Sequence, residues 1–260
     1  MSAAKPVNTS SPPTADAHAA SAPWTLHKIL LVCGIVAAAL YIGGDIVAAL
    51  RYEGYSYTAH SVSELSAIGA PTRPFLLPLL LVYSLLETAF AAGVWMSAGS
   101  RRGLRMTAGL LFAHGILNVA LNAVNLITPF AAMHTREEIA AGSTTNDTLH
   151  LVYAGVTVLL ILLMIGFGAS AFGKRWRIYS YATIAALLIF GAWAAADAPR
   201  VAANLPTPWL GLRERVNVYG FIVWLLMLAI LCLRALKSAV SLTPAFSAHF
   251  TKLPPAAPSH

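Results

Sequence analysis

The chain has 260 residues, of which 58% are hydrophobic and only 10% are charged. An average soluble domain carries about 25% charged residues, so this composition excludes a water-soluble globular protein and indicates a polytopic membrane protein. The net charge of +7 is divided among short loops without interleaved aromatic residues, which argues against a nucleic-acid partner.

Six apolar segments are long enough to cross the hydrocarbon layer as helices, which takes about 20 residues each. The predicted spans cover residues 29–50, 75–98, 106–128, 150–172, 178–197 and 216–236. They form one domain over residues 28–237, so the predicted fold class is all-α, a polytopic membrane six-helix bundle. Residues 1–27 and 238–260 are rich in alanine, proline and serine, and we predict that they are disordered tails.

The basic residues next to the spans predict the orientation of the bundle. They gather between spans two and three, between spans four and five, and after span six, whereas the other three loops carry nearly all of the acidic residues. We therefore predict that both termini are cytoplasmic and that the chain lies in the plasma (inner) membrane. The three acidic loops are predicted to face outward.

The first of these outer loops contains the sequence SVSELSAIGAP. Ser61 and Glu64 have the spacing of a capping box, which predicts a short helix along the membrane surface that ends at Gly69. His60 and Ser63 could instead act as base and nucleophile. No third orienting group is visible beside them, so capping is the preferred interpretation.

Span three carries a stripe of polar residues in an otherwise apolar helix. At about 100° per residue, the members of the stripe fall within about 80° of one another. They are His114, Asn118, Asn122 and Asn125. Such side chains also hold transmembrane helices together through hydrogen bonds of about 0.6–2 kcal/mol each. The stripe therefore predicts either interhelical contacts or the wall of a polar cavity.

Polar residues on neighbouring spans favour the cavity. Glu87 of span two reaches the same depth as His114, so the two are predicted to be partners. An ionised group at the bilayer centre costs about 2.5–3.5 kcal/mol, so such residues face inward and are typically functional. Asp45 of span one and Tyr153 of span four add to the same interior. We therefore predict a polar site that opens outward, with Glu87 and His114 at its deep end.

The loop before span four brings candidate catalytic and metal-binding residues. Asp147 and His150 lie three residues apart at the outer mouth of the span, where His134, Glu64 and His60 could approach them. Imidazoles with carboxylates would suit zinc, with His60, His134, Asp147 and His150 as its ligands. The spacing falls short of a motif such as H-E-x-x-H. We therefore predict no metal and no other cofactor, and we expect Asp147 to orient a nearby histidine.

Three arginines are predicted on the same outer side of the membrane. Arg136, Arg213 and Arg215 supply guanidinium groups suited to phosphate or carboxylate, such as a lipid headgroup. Salt bridges with Glu214, Asp197 and Glu138 are the alternative, and the sequence favours neither.

Several short motifs, in order along the chain, resemble one known family. They are SVSELSAIGAPTRP after span one, MHTRE and NDTLH before span four, and PWLGLRERVNVYG leading into span six. In this combination the chain resembles the prokaryotic membrane family called domain of unknown function 998, over residues 29–236. The resemblance implies a compact six-helix bundle with signature residues on the outer loops and no established activity. Those residues would be Ser63, Glu64, His134, Arg136, Asp147, His150, Arg213, Glu214 and Arg215.

Two functions follow from these observations. The preferred one is a protein that binds or moves a lipid headgroup or a small polar solute at the outward-opening site, with membrane lipid as its partner. The binding residues would then be Asp45, Glu87, His114, Asn118, Asn122, Asn125, Tyr153, Arg136, Arg213, Glu214 and Arg215. The alternative is a membrane-embedded hydrolase or transferase acting on outer-leaflet lipid, with Asp147 and His150 as an acid/base pair. Its further candidates are His134, Glu64 and Ser63.

Overall fold

The computed structural model describes the backbone of residues 15–250 and the side chains of residues 25–238. Over this part of the chain every regular element is a helix, which confirms the predicted all-α fold class. Six helices are long and apolar enough to cross a membrane. They are α1 (Ala15–Arg51), α2 (Arg73–Ala98), α3 (Arg102–Asn125), α5 (Thr145–Gly168), α6 (Lys174–Ala195) and α8 (Leu210–Phe250).

Three short elements lie in the connections between these helices. They are a 3-10 helix (Ser63–Ser66), α4 (Arg136–Ala141) and α7 (Ala198–Ala202). The predicted capping box forms, since the Glu64 amide donates to Ser61 Oγ and the Ser61 amide donates to Glu64 Oε1. The helix that follows is only one turn long and ends before Gly69, whose φ of +87° suits glycine.

The helix ends differ from the predicted spans where local capping decides them. The fourth span begins at Thr145 and not at residue 150, because Thr144 and Asp147 form a second capping box. Helix α1 begins at Ala15, inside the predicted N-terminal tail, in an alanine-rich stretch that favours helix. Helix α8 continues to Phe250, inside the predicted C-terminal tail. The outer parts of both predicted tails, residues 1–14 and 251–260, lie outside the described residues.

The six long helices form a closed bundle. Helices α1, α2 and α3 pack side by side, α5 packs on α3, α6 packs on α8, and α8 returns to α1. Helices α5 and α6 complete the ring with a smaller contact, and α2 also touches α8 across it. The bundle therefore has two ends, which the connections between the helices distinguish.

Apolar and polar interiors occupy opposite ends of the bundle. The hydrophobic core lies toward the short connections 99–101 and 169–173, where Phe90, Leu104, Ile165 and Trp224 are fully buried together. The connections 52–72, 126–144 and 196–209 lie at the other end, which we call the loop end. Most buried charged side chains are at the loop end, so a candidate site is expected there.

Candidate functional site

A cavity of about 220 Å³ lies at the loop end, among α1, α2, α3, α5 and α8. Six of the predicted binding residues line it, and they are Asp45, Asn118, Asn122, Asn125, Tyr153 and Glu214. Residues of two loops, Ser63 and Ala131 among them, form part of its wall. Six side chains that the sequence assigned to one polar site therefore line the same cavity.

The polar stripe of α3 faces neighbouring helices. The Asn122 amide donates to Ser84 Oγ of α2 at 3.0 Å. The Asn125 amide donates to the Phe130 carbonyl at 2.8 Å, which holds the loop after α3 against the helix end. The Tyr153 hydroxyl of α5 donates to the side-chain oxygen Oδ1 of Asn118. The stripe thus has both features that the sequence left open. It connects α3 to α2, to α5 and to the loop after α3, and it forms part of the cavity wall.

The predicted pair of Glu87 and His114 is present below the cavity. His114 Nδ1 lies 3.0 Å from Glu87 Oε1, and Glu87 is fully buried. Asn118 Nδ2 donates to the His114 backbone carbonyl at 2.7 Å, so the pair is linked to the cavity wall one turn above it. The Tyr83 phenol lies near the Glu87 carboxylate, whose Oε2 accepts no hydrogen bond among the described residues.

Asp45 and Arg215 form a buried ion pair at the edge of the cavity. Arg215 Nε and Nη2 donate to the two carboxylate oxygens of Asp45 at 2.9 and 3.0 Å. The Tyr219 hydroxyl donates to the same carboxylate, and the Arg215 guanidinium stacks on the Tyr57 ring. Arg215 also donates to the Tyr55 hydroxyl, which in turn donates to the Ser61 carbonyl. Burial raises the pKa of this phenol, so it remains protonated. Arg215 is therefore fully engaged within the protein.

The other two predicted headgroup arginines are also engaged in ion pairs. Arg136 donates two hydrogen bonds of 2.9 Å to Glu64, and Arg213 donates to Asp197 at 2.7 Å. Of the two roles that the sequence left open for these arginines, the structure shows salt bridges. The carboxylates that pair with Arg136 and Arg215 are far away in sequence, and only the pair of Arg213 with Asp197 lies close along the chain.

The predicted acid/base pair of Asp147 and His150 is not formed. The Asp147 carboxylate accepts hydrogen bonds from the backbone amides of His134 and Thr144, both at 2.8 Å, and its Oδ1 lies 3.1 Å from His134 Nδ1. Capping the start of α5 draws the carboxylate toward the preceding loop, while His150 lies one turn further along. The histidine that Asp147 contacts is therefore His134.

His150 contacts a different residue from those predicted. Its Nε2 lies 3.2 Å from Ser63 Oγ, and its Nδ1 lies 3.2 Å from the Ala131 carbonyl oxygen. The predicted partner of Ser63, His60, lies elsewhere and accepts a hydrogen bond from the Ser56 amide. The sequence singled out Ser63 and His150 separately, but 87 residues separate them.

The four candidate zinc ligands are divided among three places. Asp147 lies with His134, His150 lies with Ser63, and His60 packs on the Tyr55 ring. Over the part of the chain that the structure describes, no group of three histidine, cysteine, aspartate or glutamate residues has the arrangement of a metal site.

One charged residue of the cavity wall was not identified from the sequence. Arg73, the first residue of α2, donates to the Ser66 carbonyl at 2.6 Å and to Asn125 Oδ1 at 2.9 Å. Its position in the motif APTRP, which is part of one of the sequences that resemble the family, is the signal that could have identified it.

Comparison with known proteins places the chain in a family. The model of the family described as "Protein of unknown function (DUF998)" matches residues 35–231. Comparisons with curated proteins and with solved structures gave no match. With six membrane-spanning helices and a family match over most of its length, the chain is a multi-pass membrane protein that belongs to the DUF998 family.

Proposed function

We propose that the cavity at the loop end binds an anionic group, which is the phosphate or carboxylate of a lipid headgroup or of a small polar solute. We further propose that the chain lies in the plasma (inner) membrane and that the cavity faces outward. The observation that carries the proposal is the environment of Arg73.

Arg73 is a cation without a carboxylate partner in the cavity wall. Its two described acceptors, the Ser66 carbonyl and the Asn125 amide oxygen, are both neutral. Among the side chains that the structure describes, the ion pairs of arginine involve Arg136, Arg213 and Arg215, and Arg73 takes part in none of them. A half-buried guanidinium with neutral partners is stabilised by an anionic ligand, because hydrogen bonds between charged groups are the strong ones.

The rest of the wall supplies neutral and acidic groups for the remainder of such a ligand. Glu214 accepts a hydrogen bond of 2.7 Å from the Val62 amide and forms no salt bridge among the described residues, although Arg215 lies close enough to interact with its charge. Its carboxyl group can therefore receive an ammonium or hydroxyl group of the ligand. Leu76, Leu80 and Leu121 line the same cavity, so an apolar portion of the ligand is also accommodated.

The deep pair of Glu87 and His114 supports this site from below. Because both side chains are buried and already bonded to each other, we assign them to positioning Asn118 in the cavity wall. Arg136, Arg213 and Arg215 stabilise the loop end through their ion pairs. The geometry does not favour the alternative of Asp147 and His150 as an acid/base pair, because the Asp147 carboxylate bonds to His134 and Thr144.

The proposal is tested by measuring lipid retention with native mass spectrometry. Protein from nanodiscs containing phosphatidylethanolamine and phosphatidylglycerol is compared with its Arg73→Gln variant. A hydrogen bond between charged groups contributes about 1.5–3 kcal/mol, so we expect binding to weaken about tenfold or more. Arg51→Gln is the matched control, because Arg51 lies at the same end but stacks on Phe75 outside the cavity wall.

A second experiment distinguishes a lipid headgroup from a free solute as the ligand. Glycerophosphoethanolamine and glycerol phosphate are added to protein in detergent, and binding is followed by thermal stabilisation. Stabilisation by the soluble compounds identifies a solute site, whereas retention of intact phospholipid alone identifies a headgroup site. Equal affinities of wild type and Arg73→Gln for every probe would overturn the proposal.

A further inference from the structure

We infer that Ser63 is an activated nucleophile with His150 as its general base, and that the cavity catalyses acyl transfer from a carboxylic ester. The inference goes beyond ligand binding, and it rests on the proposed function only in that both use the same cavity.

The hydrogen bonds of His150 fix which ring nitrogen carries the proton. A backbone carbonyl only accepts, so Nδ1, at 3.2 Å from the Ala131 oxygen, must carry the hydrogen of a neutral ring. Nε2 then has a free lone pair directed at Ser63 Oγ, 3.2 Å away. The serine hydroxyl therefore donates to a basic nitrogen, which is the arrangement that activates serine for attack.

The Ala131 carbonyl takes the place of the third, orienting group that such pairs require. Ala131 has a φ of +48°, a left-handed conformation that residues other than glycine rarely adopt. Its amide donates to Asn146 Oδ1 at 3.0 Å, so a side chain at the start of α5 holds this backbone in place. Backbone strain of this kind costs about 1–3 kcal/mol and is concentrated at functional sites.

The surrounding loops hold both side chains in place. Ser63 begins the 3-10 helix whose Ser61–Glu64 capping box is fixed by the ion pair of Glu64 with Arg136. The two loops are joined by the Ile68 amide, which donates to the Met133 carbonyl at 2.8 Å. A pair held by rigid neighbours loses little entropy when a substrate arrives.

The pair is accessible to a substrate. Ser63, His150 and Ala131 all line the cavity, and the first two are partly exposed. Ser66 is a natural comparison, because it lies on the same turn and lines the same cavity. Its hydroxyl, however, donates to the Ser63 carbonyl, and no imidazole within the described part of the chain is hydrogen-bonded to it.

The reaction has two steps, which are transfer of the acyl group to Ser63 and its transfer from Ser63 to water. Ser63 Oγ attacks the ester carbonyl carbon while its proton passes to His150 Nε2. The bond from that carbon to the alcohol oxygen then breaks, the alcohol takes the proton from Nε2, and an acyl-serine remains. Water attacks this ester in the second step, giving one proton to Nε2, and Ser63 recovers the proton as the carboxylic acid leaves.

The test is covalent labelling of the full-length protein in detergent with a fluorophosphonate, which phosphonylates activated serines. Peptide mass spectrometry should find one adduct, on Ser63. General-base catalysis contributes about 10²–10⁴-fold, so His150→Gln should lower the labelling rate about 100-fold or more. Glutamine retains a side-chain amide at this position but lacks the basicity of imidazole.

Two control variants separate the pair from its neighbours. His60→Ala should be labelled on Ser63 at the wild-type rate, and Ser63→Ala should not be labelled. Thermal unfolding of each variant shows whether it is folded. The absence of an adduct on Ser63 in folded wild type, or labelling of folded His150→Gln at the wild-type rate, would overturn the inference.

Failure of the inference and failure of the proposed function give different results. If wild-type protein is labelled on Ser63 but retains no headgroup or solute, the assignment of Ser63 as a nucleophile stands and the proposed function is overturned. Wild-type protein that binds a headgroup through Arg73 but is not labelled gives the opposite result.

Discussion

Single buried charges at the loop end are compensated by partners on other elements. Asp45 and Arg215 are 4% and 2% exposed, and they join α1 to α8 through two hydrogen bonds. Burying two charges is costly, and their attraction offsets that cost only while both are present. Loss of one partner therefore matters more than loss of the pair.

The Asp45–Arg215 pair gives a prediction about stability. Arg215→Met leaves the Asp45 carboxylate buried without its cation, so we expect the free energy of unfolding in detergent to fall by about 3–5 kcal/mol. Asp45→Asn combined with Arg215→Met should recover part of this loss, because no uncompensated charge remains. Chemical denaturation measures both variants.

A surface arginine provides the control for this prediction. Arg51→Gln removes an exposed guanidinium that stacks on the Phe75 ring, and we expect a change of about 0.5 kcal/mol or less. A loss in Arg215→Met no larger than that in Arg51→Gln would show that the ion pair is not needed for stability.

Close approach of helices α2 and α3 depends on small residues at their contact. A Cβ atom at Gly115 of α3 would lie 3.2 Å from Thr88 Cα and closer still to the Thr88 hydroxyl oxygen. Gly109 of the same helix has nothing within 4 Å of that position. The two glycines therefore have different roles in one helix, and small residues at such contacts are typical of membrane bundles.

This difference predicts opposite effects of the same substitution. Gly115→Ala should destabilise the bundle by about 1–3 kcal/mol, because Thr88 or the α2 backbone must move. Gly109→Ala should leave stability unchanged or raise it by up to about 1 kcal/mol, since alanine favours helix more than glycine does. Thermal unfolding in one detergent compares the two, and equal effects would contradict the packing of α2 on α3.

The six long helices were predictable because each rests on a local pattern. An apolar run sets the length of a span, and a spacing of three or four residues places His114, Asn118 and Asn122 on one side of α3. The partners of buried groups were harder to predict, since they depend on long-range packing. Asp45 meets Arg215 across 170 residues, and His150 meets Ser63 across 87.

Local capping also explains why Asp147 and His150 do not pair. The spacing of Asp147 and His150 on α5 suggested a pair, but the hydroxyl and amide of Thr144 compete for the Asp147 carboxylate. Arg73 was missed because nothing in the sequence shows that its neighbours in space are neutral. The electrostatic environment of a charge depends on the assembled loops, which no local pattern describes.

At the scale of the whole molecule, the bundle is polar inside at one end and apolar at the other. The cavity, the ion pairs and the Ser63–His150 contact all lie at the loop end, while the fully buried Trp224 and Phe90 lie toward the opposite end. The connections at the opposite end carry the basic clusters. The positive-inside rule predicts that these connections are cytoplasmic and that the loop end faces outward.

Cysteine accessibility tests this orientation directly. Glu53→Cys places an exposed thiol in the connection 52–72, and Ser100→Cys places one in the connection 99–101. In cells with an intact plasma membrane, a membrane-impermeant maleimide should modify only Glu53→Cys, and Ser100→Cys should react after permeabilisation. The wild type provides the background, because its two cysteines, Cys33 and Cys232, lie within membrane-spanning helices. The opposite pattern would place the cavity and Ser63 on the cytoplasmic side, where they would meet lipids of the inner leaflet.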